Sequence, residues 1–132
     1  MDDAVREEDY ARLLAFRTGL REFLAWSATR AAEQGLTPAQ HQLMLAVRGH
    51  HDRRGPTIGE AAAYLLIRQH AAVGLANRVQ ELGLLERRRD TADARVVRLA
   101  LTPEGARRIE ALSSLHKAEL GRLAPLLDAV GD

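Results

Sequence analysis

Residues 82–105 read LGLLERRRDTADARVVRLALTPEG, and no other stretch restricts the fold so tightly. Gly83 stops one helix, and Thr102-Pro103 starts another. Between them, 84–89 and 95–101 read as a pair of antiparallel strands. Val97, Leu99 and Leu101 alternate with Arg98 and Ala100, the pattern of a half-buried ribbon. The turn carries Asp90, Asp93 and Arg95, and Arg87, Arg88 and Arg89 lead into it. Successive strand residues alternate faces, so at most two of those three arginines point the same way. A ribbon with a basic stem and one arginine at its tip suits double-stranded DNA. The stem can follow phosphates while the tip guanidinium enters a minor groove.

The rest of the chain supplies helices. In 3–34, Tyr10, Leu13, Leu14, Phe16, Leu20, Phe23 and Leu24 recur at spacings of three and four, which predicts one helical face. Gly35 ends that helix, and Thr37-Pro38-Ala39-Gln40 is a capping box opening a second helix over 38–48, with Leu43, Met44 and Val47 inward. A polar loop, 49–56 (GHHDRRGP), leads to a second box, Thr57-Ile58-Gly59-Glu60. The short third helix carries Ala61, Ala62, Leu65 and Leu66, and Ile58 is placed to add a short strand beside the ribbon. After a break at Leu66-Ile67-Arg68 a fourth helix spans 69–82. Two short helices joined by such a break form a helix-turn-helix, whose second member enters the major groove. The fifth helix aligns Ala106, Ile109, Leu112, Leu120 and Leu123. Pro125 ends or kinks it before a last turn through Leu126, Leu127 and Val130.

Helix, Gly-Leu-Leu, basic strand, Asp-x-x-Asp-x-Arg, strand and Leu-Thr-Pro-x-Gly together resemble the MarR family of bacterial transcription regulators, credibly from about Leu36 onward. The resemblance implies a mainly α fold with a small antiparallel β-wing: a winged helix-turn-helix with N- and C-terminal dimerisation helices. On that reading 1–132 is one domain. Segments 1–34 and 103–132 pair across a two-fold axis, and 37–101 binds DNA. It also implies that Arg95, two positions after Asp93, reaches the minor groove, with Asp93 orienting it or fixing the wing backbone. Exposed, the same two residues could also be a mere turn-stabilising pair.

Arg87, Arg88 and Arg89 are expected at phosphates, with a charged, aggregation-resistant edge strand as the other reading. On the fourth helix Arg68, Gln69, His70, Val73, Gly74 and Asn77 would face bases, since glutamine and asparagine pair with adenine and arginine with guanine. Arg78 suits a phosphate contact or a structural ion pair equally. Two departures from the family pattern stand out: no small hydroxyl cap near Arg68, and Gly74 where relatives often carry a polar or basic contact. Gly74 allows either close backbone approach or weaker base readout.

Composition narrows the chemistry. There is no cysteine among the 132 residues, which excludes disulfides, thiolate zinc sites and the cysteine peroxide sensing used by some MarR regulators. No apolar run spans a membrane and the N-terminus is acidic, so a cytoplasmic protein without membrane contact is expected. Net charge is only +1, but residues 68–98 hold seven arginines against four acids, whereas 1–34 hold five against seven. No nucleotide loop, nucleophile motif or metal-ligand spacing appears, so no enzyme, metal or cofactor is expected. Glu60 and Glu104 are explained by helix capping and dipole effects. The five histidines read as scattered surface or hinge residues. Family resemblance alone suggests a small aromatic effector in a crevice lined by Trp26, His41, Met44 and Tyr64. The expected function is a dimeric, sequence-specific repressor released by that effector. The alternative is a winged-helix protein-interaction module that has lost DNA readout.

Overall fold

Three threonines in extended backbone decide where helices begin. Thr37, Thr57 and Thr102 accept the N–H of Gln40, Glu60 and Gly105 at 3.2, 3.2 and 3.1 Å. Gln40 and Glu60 return the bond to the first two threonine N–H groups at 3.0 Å each. Each cap contributes about 1 kcal/mol. In the computed structural model, which describes residues 3–125 and 128, these caps open α2 (Pro38–Gly49), α3 (Ile58–Leu65) and α5 (Pro103–Leu120). The other helices are α1 (Glu7–Glu33) and α4 (Gln69–Glu81). Strands β1 (Leu85–Arg89) and β2 (Val97–Leu101) pair antiparallel, from Leu85 opposite Leu101 to Arg89 opposite Val97.

The core lies under the helix-turn-helix and the wing. Leu43, Met44, Val79, Leu84, Leu85, Leu99, Ile109 and Leu112 are all at most 2% exposed. Burying each such side chain contributes roughly 1.5–3 kcal/mol. From α1 and the turn after it, Ala31 and Leu36 join this cluster. The loop before α3 presses against β2 at Gly55, where a Cβ would stand 2.0 Å from the Leu99 carbonyl oxygen and φ is +92°. Only glycine fits there.

Several expectations change. The helix expected from residue 3 starts at Glu7, after an Arg6 N–H that donates to Asp9 Oδ2 at 2.9 Å. On the expected α1 stripe, Tyr10, Leu13, Leu14 and Leu24 are 49–68% exposed, because no element of this chain packs over them among the described residues. Leu66 is not a helix-face residue: it is the left-handed C-cap of α3 (φ 57°), 92% exposed. The third strand contact is a single bridge from Thr57 to Arg98, not Ile58. The strands start one and two residues later than read, at Leu85 and Val97, and Val97 is exposed. α5 stops at Leu120, capped by Gly121, before Pro125 can act. The last turn expected through Leu126, Leu127 and Val130 lies outside the described residues.

Candidate nucleic-acid interface

α4 buries Ala72, Ala76 and Val79 against the core. That leaves Gln69, His70, Val73, Gly74 and Asn77 exposed along the opposite face, the stripe expected to meet bases. Arg68 is the N-cap, exposed, and forms no side-chain cap bond. Its guanidinium has no acceptor with which to cap a helix. Arg78 is exposed on the same helix. No protein atom beyond the helix's own backbone comes within 4 Å of a Cβ built at Gly74, so internal packing does not require glycine there.

The wing's pleat sorts its three arginines. Arg87 and Arg89 share the face of β1 that carries Leu85, while Arg88 lies on the other. Arg87 reaches back to α4, donating from Nη2 to Asn77 Oδ1 at 2.8 Å and from Nη1 to Gln80 Oε1. The wing stem and α4 are thus joined through side chains. Arg89 Nη1 donates to the Ala94 carbonyl at 3.3 Å, and Arg88 Nε to Glu86 Oε1 at 2.7 Å. At the tip, the Arg95 side chain is 91% exposed. Its backbone N–H and Nε donate to Asp93 Oδ1 at 3.0 and 3.1 Å, and Nη2 to Oδ2 at 3.2 Å. These bonds, the side-chain ones foremost, hold the Asp93 carboxyl below the usual carboxylate range.

Sequence reading missed the residues beneath that tip. Asp90 is buried, and its Oδ1 accepts from Arg54 Nη1 at 3.0 Å and from Arg98 Nε at 3.3 Å. Its Oδ2 takes the Asp93 N–H at 3.3 Å. Arg98, read as an outward polar residue, is 15% exposed and also donates to the Gly55 carbonyl at 2.9 Å. An aspartate placed just before a charged turn, facing arginines on two flanking segments, was the available signal.

The expected effector crevice does not assemble as one site. Met44 is fully buried core. Tyr64 stands elsewhere, its hydroxyl 2.8 Å from His50 Nδ1. Trp26 and His41 do share a locale, each ring 4.9 Å from the His116 ring. The scattered-histidine reading therefore needs correcting: His41 and His50 are buried, and His41 meets His116 between α2 and α5. His116 Nδ1 lies 2.7 Å from the Leu112 carbonyl and Nε2 lies 2.6 Å from Ser27 Oγ. Because a carbonyl only accepts, Nδ1 carries the proton and Nε2 accepts from the serine in the neutral ring. An open apolar cleft of about 350 Å³ adjoins this cluster, bordered by Phe23, His41, Leu45 and Leu120. Among the described residues no group of three His, Cys, Asp or Glu could hold a metal ion, and no helix is long and apolar enough to cross a membrane.

The MarR family model matches residues 34–96, the stretch that contains the helix-turn-helix and most of the wing. The transcriptional repressor MdtR of Bacillus subtilis is 30% identical over 95 residues, covering 72% of this chain. The chain belongs to the MarR family. It spans 59% of the length of MdtR. A MarR family transcription regulator, SP03579, superposes with a TM-score of 0.73 at 27% identity, over 88% of this chain and 75% of that one. MepR of S. aureus, in its complex with DNA, gives a TM-score of 0.68 at 18% identity, over 92% and 85% of the two chains, a likeness of fold. The MarR match confirms the winged helix-turn-helix that the Gly-Leu-Leu and Asp-x-Arg motifs pointed to.

Proposed function

We propose that this MarR-family protein is a sequence-specific, double-stranded DNA-binding transcription regulator that works as a homodimer, and that its output is repression. One observation carries the reading: Arg87 ties Asn77 and Gln80 to the wing, so the exposed α4 stripe and the Arg95 tip form one jointed surface. Side chains on α4 meet base edges in the major groove, Arg87 and Arg89 lie along phosphates, and Arg95 enters the neighbouring minor groove. Gly74, unneeded by internal packing, leaves room for close approach of the helix backbone to the duplex.

The repressor MdtR and the DNA complex of MepR, both similar to this chain, support the same function. The uncovered α1 residues Tyr10, Leu13 and Leu14, with Leu115 and Leu120 of α5, supply an apolar surface for a second copy. Two recognition helices about 34 Å apart would then read successive major grooves. The apolar cleft between α1, α2 and α5 suits a small aromatic effector. Its binding would favour a different spacing of the two α4 helices and release the operator.

The test is a shift assay on the duplex upstream of the gene, against a shuffled duplex of equal length. Preference for the native sequence, weakening steeply with salt, is the expected result. Equal or absent binding would leave a protein-interaction module instead.

A further inference from the structure

The wing has a second basic face that the DNA reading does not use. On the side of the sheet carrying Arg88 and Ala100, an open cleft of about 660 Å³ lies between the wing, the end of α2 and the loop that follows. Its cations are Arg48, Arg53 and Arg88, with the His51 imidazole beside them. Arg48 and Arg53 are exposed, and among the described residues their side chains make no hydrogen bond or ion pair. Asp52 on the rim is taken up by Arg54 at 2.8 Å and Arg88 is paired with Glu86, which leaves Arg48 and Arg53 as the cations of the cleft without a carboxylate among the described residues. Val47, Ala100 and Ala106 give the cleft an apolar wall. Its volume is that of a small-molecule site. His50 also lines the cleft, its side chain 1% exposed and held in place by Tyr64, whose hydroxyl is 2.8 Å from Nδ1, and by Glu60, whose Oε2 is 3.5 Å from Nε2.

We infer that this cleft binds a small organic phosphate, its phosphoryl oxygens held by Arg48 and Arg53 and its apolar body laid against the Val47–Ala100 wall. Guanidinium groups recognise phosphoryl oxygens through paired, charge-assisted hydrogen bonds, and two unpaired arginines converging on one cleft supply them. DNA phosphates are the competing source of the same chemistry. The pleat argues against them: Arg87, one residue from Arg88, points to α4, so the sheet stands between this cleft and the recognition helix. A bound phosphate would link the α2 end to the wing and so bear on how the wing is set. The inference is independent of the proposed DNA function.

The experiment is calorimetric titration of the whole chain with pyrophosphate, ADP and adenosine, repeated on the double variant Arg48→Ala, Arg53→Ala. Both positions are exposed, so the variant should keep the wild-type circular dichroism and melting temperature. ADP and pyrophosphate should bind and adenosine should not, with the variant losing about tenfold or more in affinity for both. Operator affinity of the variant, measured without ligand, should equal wild type. Failure of both phosphates to bind at up to about 10 mM would overturn the inference, as would equal binding by the variant. Loss of operator affinity in the variant, with no small phosphate bound, would assign these arginines to the DNA backbone. That outcome would sink the cleft while leaving the DNA-binding reading standing.

Discussion

Arg98 and Asp90 meet beneath the wing tip, Arg98 Nε donating to Asp90 Oδ1 at 3.3 Å while Arg54 Nη1 holds the same oxygen at 3.0 Å. One buried carboxylate thereby joins β2, the wing turn and the loop before α3. Because Asp90 Oδ2 also accepts the Asp93 N–H, the aspartate that grips Arg95 is itself anchored to this network. The tip is aimed from below.

Asp90→Ala leaves Arg98 largely buried with its main anionic partner gone. Removing one side of such a pair costs up to 3–5 kcal/mol when fully buried; with Arg54 half exposed, about 2 kcal/mol is expected. Urea unfolding checks this, and a loss below about 0.5 kcal/mol, the range of ordinary surface substitutions, would contradict it.

Two glycines should respond in opposite directions. Gly55→Ala drives a Cβ into the Leu99 carbonyl at positive φ, and a loss of about 3 kcal/mol or more is expected. Gly74→Ala meets open space in mid-helix and should gain up to about 1 kcal/mol. The same stabilised variant should bind its operator more weakly, since on the proposed reading the methyl lies where the duplex approaches. Thermal melts and binding isotherms on the pair decide; a Gly74→Ala protein that binds as well as wild type removes the close-approach role.

Much of this architecture was legible because its signals are local. Both Thr-x-x-Gln/Glu boxes and the Thr102-Pro103 start act within one turn, and strand alternation around Leu99 needs only neighbouring residues. What escaped was set by distance along the chain. Arg54 and Asp90 lie 36 positions apart, and Ser27 and His116 lie 89 apart, so no periodicity brings them together. The α1 stripe was read correctly as helical, yet spacing cannot say whether a face is covered by the same chain. Tyr10 and Leu14 are exposed here for that reason.

Acid should weaken the fold through His41. Burial first, and the neighbouring His116 second, hold its pKa below the ordinary value of 6.5. The unfolded chain therefore binds the proton more readily. This contribution is complete above pH 6.5 and is lost as pH falls through and below that value. Melting temperature should drop between about pH 7.5 and pH 5, with a shallower drop in His41→Leu. A melting temperature that rises on acidification would contradict the assignment.

Leu120→Asp tests the two-copy arrangement. Leu120 is 54% exposed in the single chain, so a charge there is harmless to the monomer but unfavourable in an apolar seam. Sedimentation should show a wild-type dimer and a variant shifted towards monomer. Identical profiles would place the seam elsewhere.

The most direct measurement is a salt series of operator affinities for wild type and Arg95→Ala. If the α4 face and the wing grip a duplex together, affinity should fall by about 10³–10⁵ between 50 and 200 mM salt, as for six to ten neutralised phosphates. Arg95→Ala, with its fold intact, should be weaker by about 1–3 kcal/mol. Binding that ignores both salt and Arg95 would contradict the account.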